Sequence, residues 1–298
     1  MPATRRTKAL PYGLLIPSLL ALVVALGYPL VRQFVLSFQE FGLAQQFGRP
    51  AEWIGFANYE RLVTDAYLWK VVLRSLVFCG ANAAITMVLG TVIALLLGKM
   101  SKPVRILVQT GLLLAWAMPV LAALTIWQWL FDSQYGVINW LLTKGGLDYA
   151  GHSWLLHSTS FFLVATVIVV WMSVPFVAFT VYAALTQVSS DILEAAEVDG
   201  ANAWQRFRLI VVPTIRPVLL VVGLLQIIWD LRVFTQIYVL QKAGGVTRDT
   251  NLLGTYIYRL GIGEGSFGQA AAVAIFMLVL TVIITYPYVR GMMRQEAP

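Results

Sequence analysis

The chain has 298 residues, 59% of them hydrophobic and only 12% charged, with a mean hydropathy of +0.77. Water-soluble domains carry about 25% charged residues, so this composition excludes a soluble enzyme and leaves the integral membrane class. The net charge of +7 is concentrated in particular loops. That pattern reads as membrane topology, and no nucleic-acid partner is expected. A single cysteine, Cys79, excludes an intrachain disulfide and a cysteine-based metal site.

In chain order, residues 1–10 carry Arg5, Arg6 and Lys8 and no acid, and 9–31 form an uncharged first span with Pro17, Tyr28 and Pro29 inside it. That run is too long for a signal peptide and lacks a small-residue cleavage site, so it reads as retained. Residues 39–74 are mixed and aromatic, with WIGFANY at 53–59. A second span covers 75–98, and Lys99, Lys102 and Arg105 crowd the connection after it. A third covers 106–131 with Pro119 inside, and a polar, glycine-containing loop follows to His157. The fourth span, 158–187, is broken by Pro175. A charged island follows, then a fifth span over 218–240 that contains Asp230 and Arg232. A glycine-rich loop leads to a sixth span over 269–289, followed by Arg290 and Arg294. The fold expected is all-α, a polytopic membrane protein of six transmembrane helices. Residues 1–298 form one transmembrane domain without internal repeats.

Six spans place both termini on one side. The termini, the second-to-third connection and the island hold eleven Lys/Arg against five acids, and the three opposite loops hold nine against eight. The cationic side is expected to be cytoplasmic, in a plasma or inner membrane.

The island, 188–217, has the core DILEAAEVDGANAWQRFRLIVVPT at 191–214. Asp191 is placed to cap a helix, with Glu194 three residues later in a capping-box arrangement. Gly200 can end that helix in a left-handed conformation. A second helix from Ala201 would carry Trp204, Phe207 and Arg208 until Pro213 intervenes. The small side chains of Ala195 and Ala196 would admit a partner surface closely. The bland alternative is a solvated interfacial helix.

EAAEVDGA at 194–201, followed by Ile210 and Pro213, closely resembles the cytoplasmic signature loop of ABC importer permeases. Tyr28-Pro29, Ser37-Phe38, 53–59, 127–131, Gly136 with Asn139, Trp171 with Pro175-Phe176, and 238–240 resemble the carbohydrate-importer branch. They are similar to the first of its two paired permeases, as in maltose, glycerol-3-phosphate and trehalose systems. Two departures stand out: Ser190 and Leu193 replace the family's Pro and Tyr, and 243–246 read AGGV where Gly-Gly-Pro is usual.

The resemblance implies the type I importer permease fold and transport of a sugar or sugar derivative by alternating access. Glu194, Ala195, Ala196, Asp199, Gly200 and Ala201 would form the helix that couples to the ATPase. The partners implied are a second permease, two copies of a cytoplasmic ATPase, an extracytoplasmic binding protein, the carbohydrate and membrane lipid. The chain has no G-x-x-x-x-G-K-[ST] phosphate loop. ATP and Mg are therefore expected on the ATPase, with no cofactor in this chain and no enzymatic activity of its own.

Asp230 and Arg232 at membrane depth need a cavity or a partner. Gln226, Trp229, Asp230 and Val233 follow i, i+3, i+4, i+7 and would share a helix face. An aromatic plane beside an amide and a carboxylate suits a sugar, and spacing alone leaves a buried Gln–Asp network equally open. The resemblance places these four, with Val169, Ser173 and Phe176 of the fourth span, at sugar-contact positions of maltose-type permeases. Arg232 is expected to pair with an acid on the second permease.

Trp116, Trp127 and Trp129 read as interface anchors or packing. Asn82 and Thr86 read as interhelical glue, and His152 and His157 lack a third ligand for zinc. Two further classes compete with this reading: an ion-coupled secondary carrier using Asp230, and a membrane-embedded transferase. The island and the missing inverted repeats count against the first, and the absence of a catalytic acid cluster against the second.

Overall fold

A computed structural model describes residues 15–293. The expected residues 9–14 of the first span, and Arg5, Arg6, Lys8 and Arg294, lie outside that range. Among the described residues, five helices are long and apolar enough to cross a membrane: Leu15–Ser37, Ala66–Lys99, Ser158–Leu185, Ala203–Lys242 and Phe267–Met293. Lys102–Ala117 and Val120–Leu130 pass the same test together but meet at 102°. The third span is therefore a bent pair and not one straight helix. Met118 and Pro119 adopt extended ψ values of 129° and 134° at the corner, as expected where the proline ring disfavours helical geometry in the residue before it. Pro175, by contrast, does not break the fourth span, which runs continuously over Ser158–Leu185.

The chain divides into two compact units. One comprises residues up to Leu68 with Ile257–Val279. Here the WIGFANY stretch has a structural role. Gln39–Glu40 and Glu52–Trp53 pair antiparallel, and the buried Asn58 amide donates to the Ser37 and Gln39 carbonyls, each at 3.0 Å. The Tyr59 hydroxyl donates to Ser37 Oγ at 2.7 Å, and the Phe38 ring stacks on Trp53 at 5.9 Å. These bonds hold the end of the first span, whose apolar window has no buried residue.

The other unit comprises Trp69–Tyr256 with residues from Leu280. Its core is built on the fourth span. Phe161, Val164 and Ile168 pack with Phe78, Leu124, Phe131, Ile237 and Leu240, and Val177, Val181 and Ala184 pack with Ala94, Val211, Ile215 and Val222. Between membrane helices small residues permit the close approach that dispersion needs. A Cβ on Gly90 would lie 2.6 Å from Val177 Cβ, so the second and fourth spans touch backbone to side chain there. The second span also meets the fifth, where Cys79 Sγ lies 3.5 Å from the Ile227 carbonyl. Asn82, expected to bond between helices, instead donates within its own helix to the Phe78 carbonyl at 2.7 Å.

In the loop after the bent pair, Asp132 accepts backbone N–H bonds from Gln134 and Tyr135, both at 2.8 Å. The bonds from Tyr135 and Gln134 hold its carboxyl below its ordinary range. A Cβ on Gly136 would fall 2.2 Å from the Asp132 carbonyl oxygen, so only glycine fits that turn. Asn139 donates to the His152 carbonyl at 2.9 Å and accepts from the Trp154 indole N–H. The Gly136/Asn139 pair thus closes the loop that follows the bent pair.

Candidate functional site

The island forms two helices, with caps that differ from those expected. Ser190–Val198 has Ser189 at its N-cap without a side-chain cap bond, and Asp191 lies in its first turn. The expected Asp191 box is therefore not formed; one residue inside the helix, its carboxylate faces the dipole but does not cap. The capping box belongs to Asn202 and Gln205, which bond reciprocally at 2.8 and 2.9 Å. Between the helices Gly200 adopts φ +84°. Its N–H reaches the Glu197 carbonyl and the Ala201 N–H reaches the Ala196 carbonyl at 2.9 Å, which is a Schellman closure.

Pro213 does not end the second helix. A π turn over Phe207–Val211 widens the backbone just before Val212–Leu231 begins. It lets the proline ring follow without striking the preceding turn. The island thus runs into the fifth span as one helix from Ala203, and Glu197 pairs with Arg206 across the Gly200 turn. Glu194, Ala195, Asp199 and Gly200 are exposed, while Ala196 and Ala201 are half-buried. Ile192, Val198 and Trp204 leave large apolar surfaces open, 88% exposed for Val198 and 64% for Trp204.

The fifth span stops at Leu231 and resumes as Thr235–Lys242. Val233 therefore lies in the break, and not on the helix face with Gln226, Trp229 and Asp230. A cavity of about 330 Å³ opens at this break. Val169, Ser173 and Phe176 line it from the fourth span, and Trp229, Asp230, Arg232 and Val233 from the fifth. Gln226 is fully buried and does not line it. Its amide N–H group donates to both Asp230 carboxylate oxygens at 2.9 Å, holding the carboxylate from behind. Phe176 and Trp229 form an edge-to-face corner with ring centroids 5.0 Å apart.

The sequence reading missed Met172, Phe234, Thr235 and Gln236 as lining residues, and it assigned Trp116 to packing and Arg232 to the second permease. Only the helix break brings 232–236 to the cavity, and Pro and Gly, the usual signals of a break, are missing there. Asp230 and Arg232 make no ion pair with each other among the described residues. The cavity thus offers one fixed carboxylate, one exposed guanidinium, an aromatic corner, and the side chains of Ser173, Thr235 and Gln236 as hydrogen-bonding groups. Hydroxyls and amides of a neutral polar ligand match such a set. Among the described residues no group of three or more His, Cys, Asp and Glu could hold a metal ion.

The profile of the family described as binding-protein-dependent transport system inner membrane component matches residues 90–289. The chain belongs to this family. It is a multi-pass permease subunit of an ATP-driven importer, a transport subunit and not an enzyme, and this decides against the ion-coupled carrier. The permease is 41% identical to the diacetylchitobiose uptake system permease protein of Streptomyces coelicolor, over 99% of this chain and 90% of that one. It is 30% identical to the trehalose/maltose transport system permease protein of Thermococcus litoralis, over 94% and 93%. A permease from the crystal structure of a bacterial alginate ABC transporter superposes with a TM-score of 0.81 at 23% identity, covering 95% of this chain and 93% of that one. That likeness establishes the shared type I importer fold.

Proposed function

We propose that this permease carries a short, neutral oligosaccharide, with an acetamido disaccharide such as diacetylchitobiose as the first candidate. One observation carries the reading: the cavity at the break of the fifth span joins the Phe176/Trp229 corner to a carboxylate held by Gln226. Sugar C–H faces pack on aromatic rings while hydroxyl and amide groups bond to Asp230, Ser173 and Gln236. Its volume of about 330 Å³ is at the lower end for small-ligand sites, which favours one or two rings over a long polymer. The 41% identity to a diacetylchitobiose permease supports the acetamido class.

In this reading Val169, Ser173, Phe176, Trp229, Asp230 and Val233 touch substrate, and Gln226 positions Asp230. Glu194, Ala195, Ala196, Asp199, Gly200 and Ala201 present the island helix to one of two cytoplasmic ATPase subunits, which bind ATP and Mg. A second permease completes the pathway, an extracytoplasmic binding protein delivers the sugar, and both termini face the cytoplasm. The exposed Ile192, Val198 and Trp204 support docking, because a solvated loop has no need of three large apolar side chains.

The test is uptake by proteoliposomes containing the whole complex and its binding protein. Labelled diacetylchitobiose should enter only with ATP, and Trp229→Ala should abolish entry while the complex still assembles. Uptake of an amino acid or inorganic ion in place of any sugar would overturn the reading.

A further inference from the structure

A second and larger cavity has no part in the proposed sugar pathway. It is a groove of about 680 Å³ on the outer surface of the larger unit, between the second and fourth spans. Lys70, Arg74 and Thr159 line it near the N-terminal ends of these two helices; Phe162, Ile85 and Val167 line its length. The two cations stand one turn apart on the same face of the second span. Arg74 is held in place: its Nη1 donates to the Asn251 carbonyl at 3.1 Å, and its guanidinium carbon lies 6.0 Å from the centre of the Phe162 ring. A guanidinium has five N–H donors, so most of them remain for a ligand. Lys70 is exposed.

Two lengths identify what fits. The second span has 34 residues, about 51 Å of helix against about 30 Å of hydrocarbon. With Lys99 at one surface, Arg74 falls at the opposite interface. From Arg74 to Ile85 the groove runs 11 residues, or about 16 Å, which is the depth of one leaflet. Cations at the end where the second span begins also run against the orientation bias of the chain, whose Lys/Arg excess lies at the other surface. Their position calls for a local anionic partner.

We propose that this groove holds one acyl chain of an anionic phospholipid whose phosphate is bound by Lys70 and Arg74. The acyl chain lies along Phe162, Ile85 and Val167, and the phosphate sits at the hydrocarbon boundary. Basic groups at the mouth of a cleft between membrane helices are suited to anionic headgroups, and a bidentate guanidinium suits phosphate oxygens.

The test uses the complete transporter, equilibrated in nanodiscs of equal phosphatidylglycerol and phosphatidylcholine and then released for native mass spectrometry. The wild type should retain phosphatidylglycerol over phosphatidylcholine, by about fivefold per cation from the contribution of one Lys or Arg near a membrane surface. Lys70→Gln should lower that preference about fivefold, and Lys70→Gln with Arg74→Gln should remove it. Ala81→Phe keeps both cations but fills the groove, and it should also release the lipid. Equal retention of both lipids by the wild type overturns the proposal. So does loss of phosphatidylglycerol with Lys70→Gln but not with Ala81→Phe, or its displacement by inorganic phosphate, because either shows a headgroup or free-anion site without the chain. Cross-linking of a photoreactive residue at position 73 to the second permease in place of lipid overturns it as well.

Discussion

Replacing Gly200 by alanine tests the island through its backbone alone. Gly200 sits at φ +84°, and no heavy atom lies within 4 Å of where a Cβ would be. The substitution therefore adds no clash, and its cost is that of placing an L-residue in the left-handed region, about 1–2 kcal/mol. That cost falls on the closed turn that presents the island helix, whose remaining ties are two backbone bonds and the Glu197–Arg206 pair. If the ATPase binds only the closed turn, its dissociation constant should rise about five- to thirtyfold. Asparagine tolerates left-handed backbone better than alanine, so Gly200→Asn should cost clearly less than Gly200→Ala. The assay is titration of the solubilised permease pair with labelled ATPase, followed by the ratio of sugar transported to ATP hydrolysed. Equal weakening by Ala and Asn, or no weakening by Ala, would refute the role given to the turn. A loss far beyond thirtyfold would place the partner's surface directly against Gly200.

Other substitutions separate function from stability. Asp230→Asn keeps a hydrogen-bonding group beside Gln226 and should depress transport with little change in thermal stability. Gln226→Ala leaves the Asp230 carboxylate without its partner and should cost about 1–3 kcal/mol, visible as a lower Tm of the purified complex. Gly90→Ala pushes a methyl to 2.6 Å from Val177 Cβ; an overpacking cost of about 1–3 kcal/mol is expected, with Val177→Ala restoring much of it in the double variant. In the turn after the bent pair the Asp132 carboxyl is held low by the Tyr135 and Gln134 N–H groups. Its contribution is complete above the ordinary carboxylate range and is lost as pH falls through its lowered value. The protection of those two amides, relative to the intrinsic exchange rate at each pH, should therefore fall on acidification below the ordinary carboxylate range, and in Asp132→Asn that protection should no longer vary with pH.

The helices themselves were legible because membrane-length apolar runs leave few choices for the backbone. The prolines were not equally legible. Pro119 turns the chain through 102°, whereas Pro175 and Pro213 lie in continuous helix. What distinguishes them is whether the surrounding backbone absorbs the missing N–H, as the π turn does before Pro213, and spacing does not encode that. The Gln226–Asp230 contact was readable from its i, i+4 spacing. The position of Val233 was not, because nothing in LRVFT at 231–235 announces that the helix stops. Both the sugar-site and the polar-network readings of Gln226 and Asp230 were open from sequence; the structure contains the network and sets the cavity on its open side. Asp191 illustrates a near miss of two residues: Ser189 and Asn202 are the N-caps, and although Asp191 and Glu194 alone fit the S/D-x-x-E pattern in 189–194, the helix begins before them.

The break after Leu231 also bears on how far a movement can travel. From Ala203 to Asp230 the backbone is continuous helix, about 40 Å long, with the π turn at Phe207–Val211 and the prolines Pro213 and Pro217 as its least stiff points. A tilt of about 10° about its middle would swing each tip by about 3.5 Å. The Trp229 and Asp230 wall would ride on that tip, while Phe234, Thr235 and Gln236 begin a separate segment. The ligand would then be gripped by a jaw whose handle is in another compartment, and no side chain would need to change rotamer for it to open. Spin labels at 203 and 230 should keep a constant separation through the ATP cycle while the distance from 230 to 236 varies; a changing first distance would show that the rod bends and the grip is worked some other way.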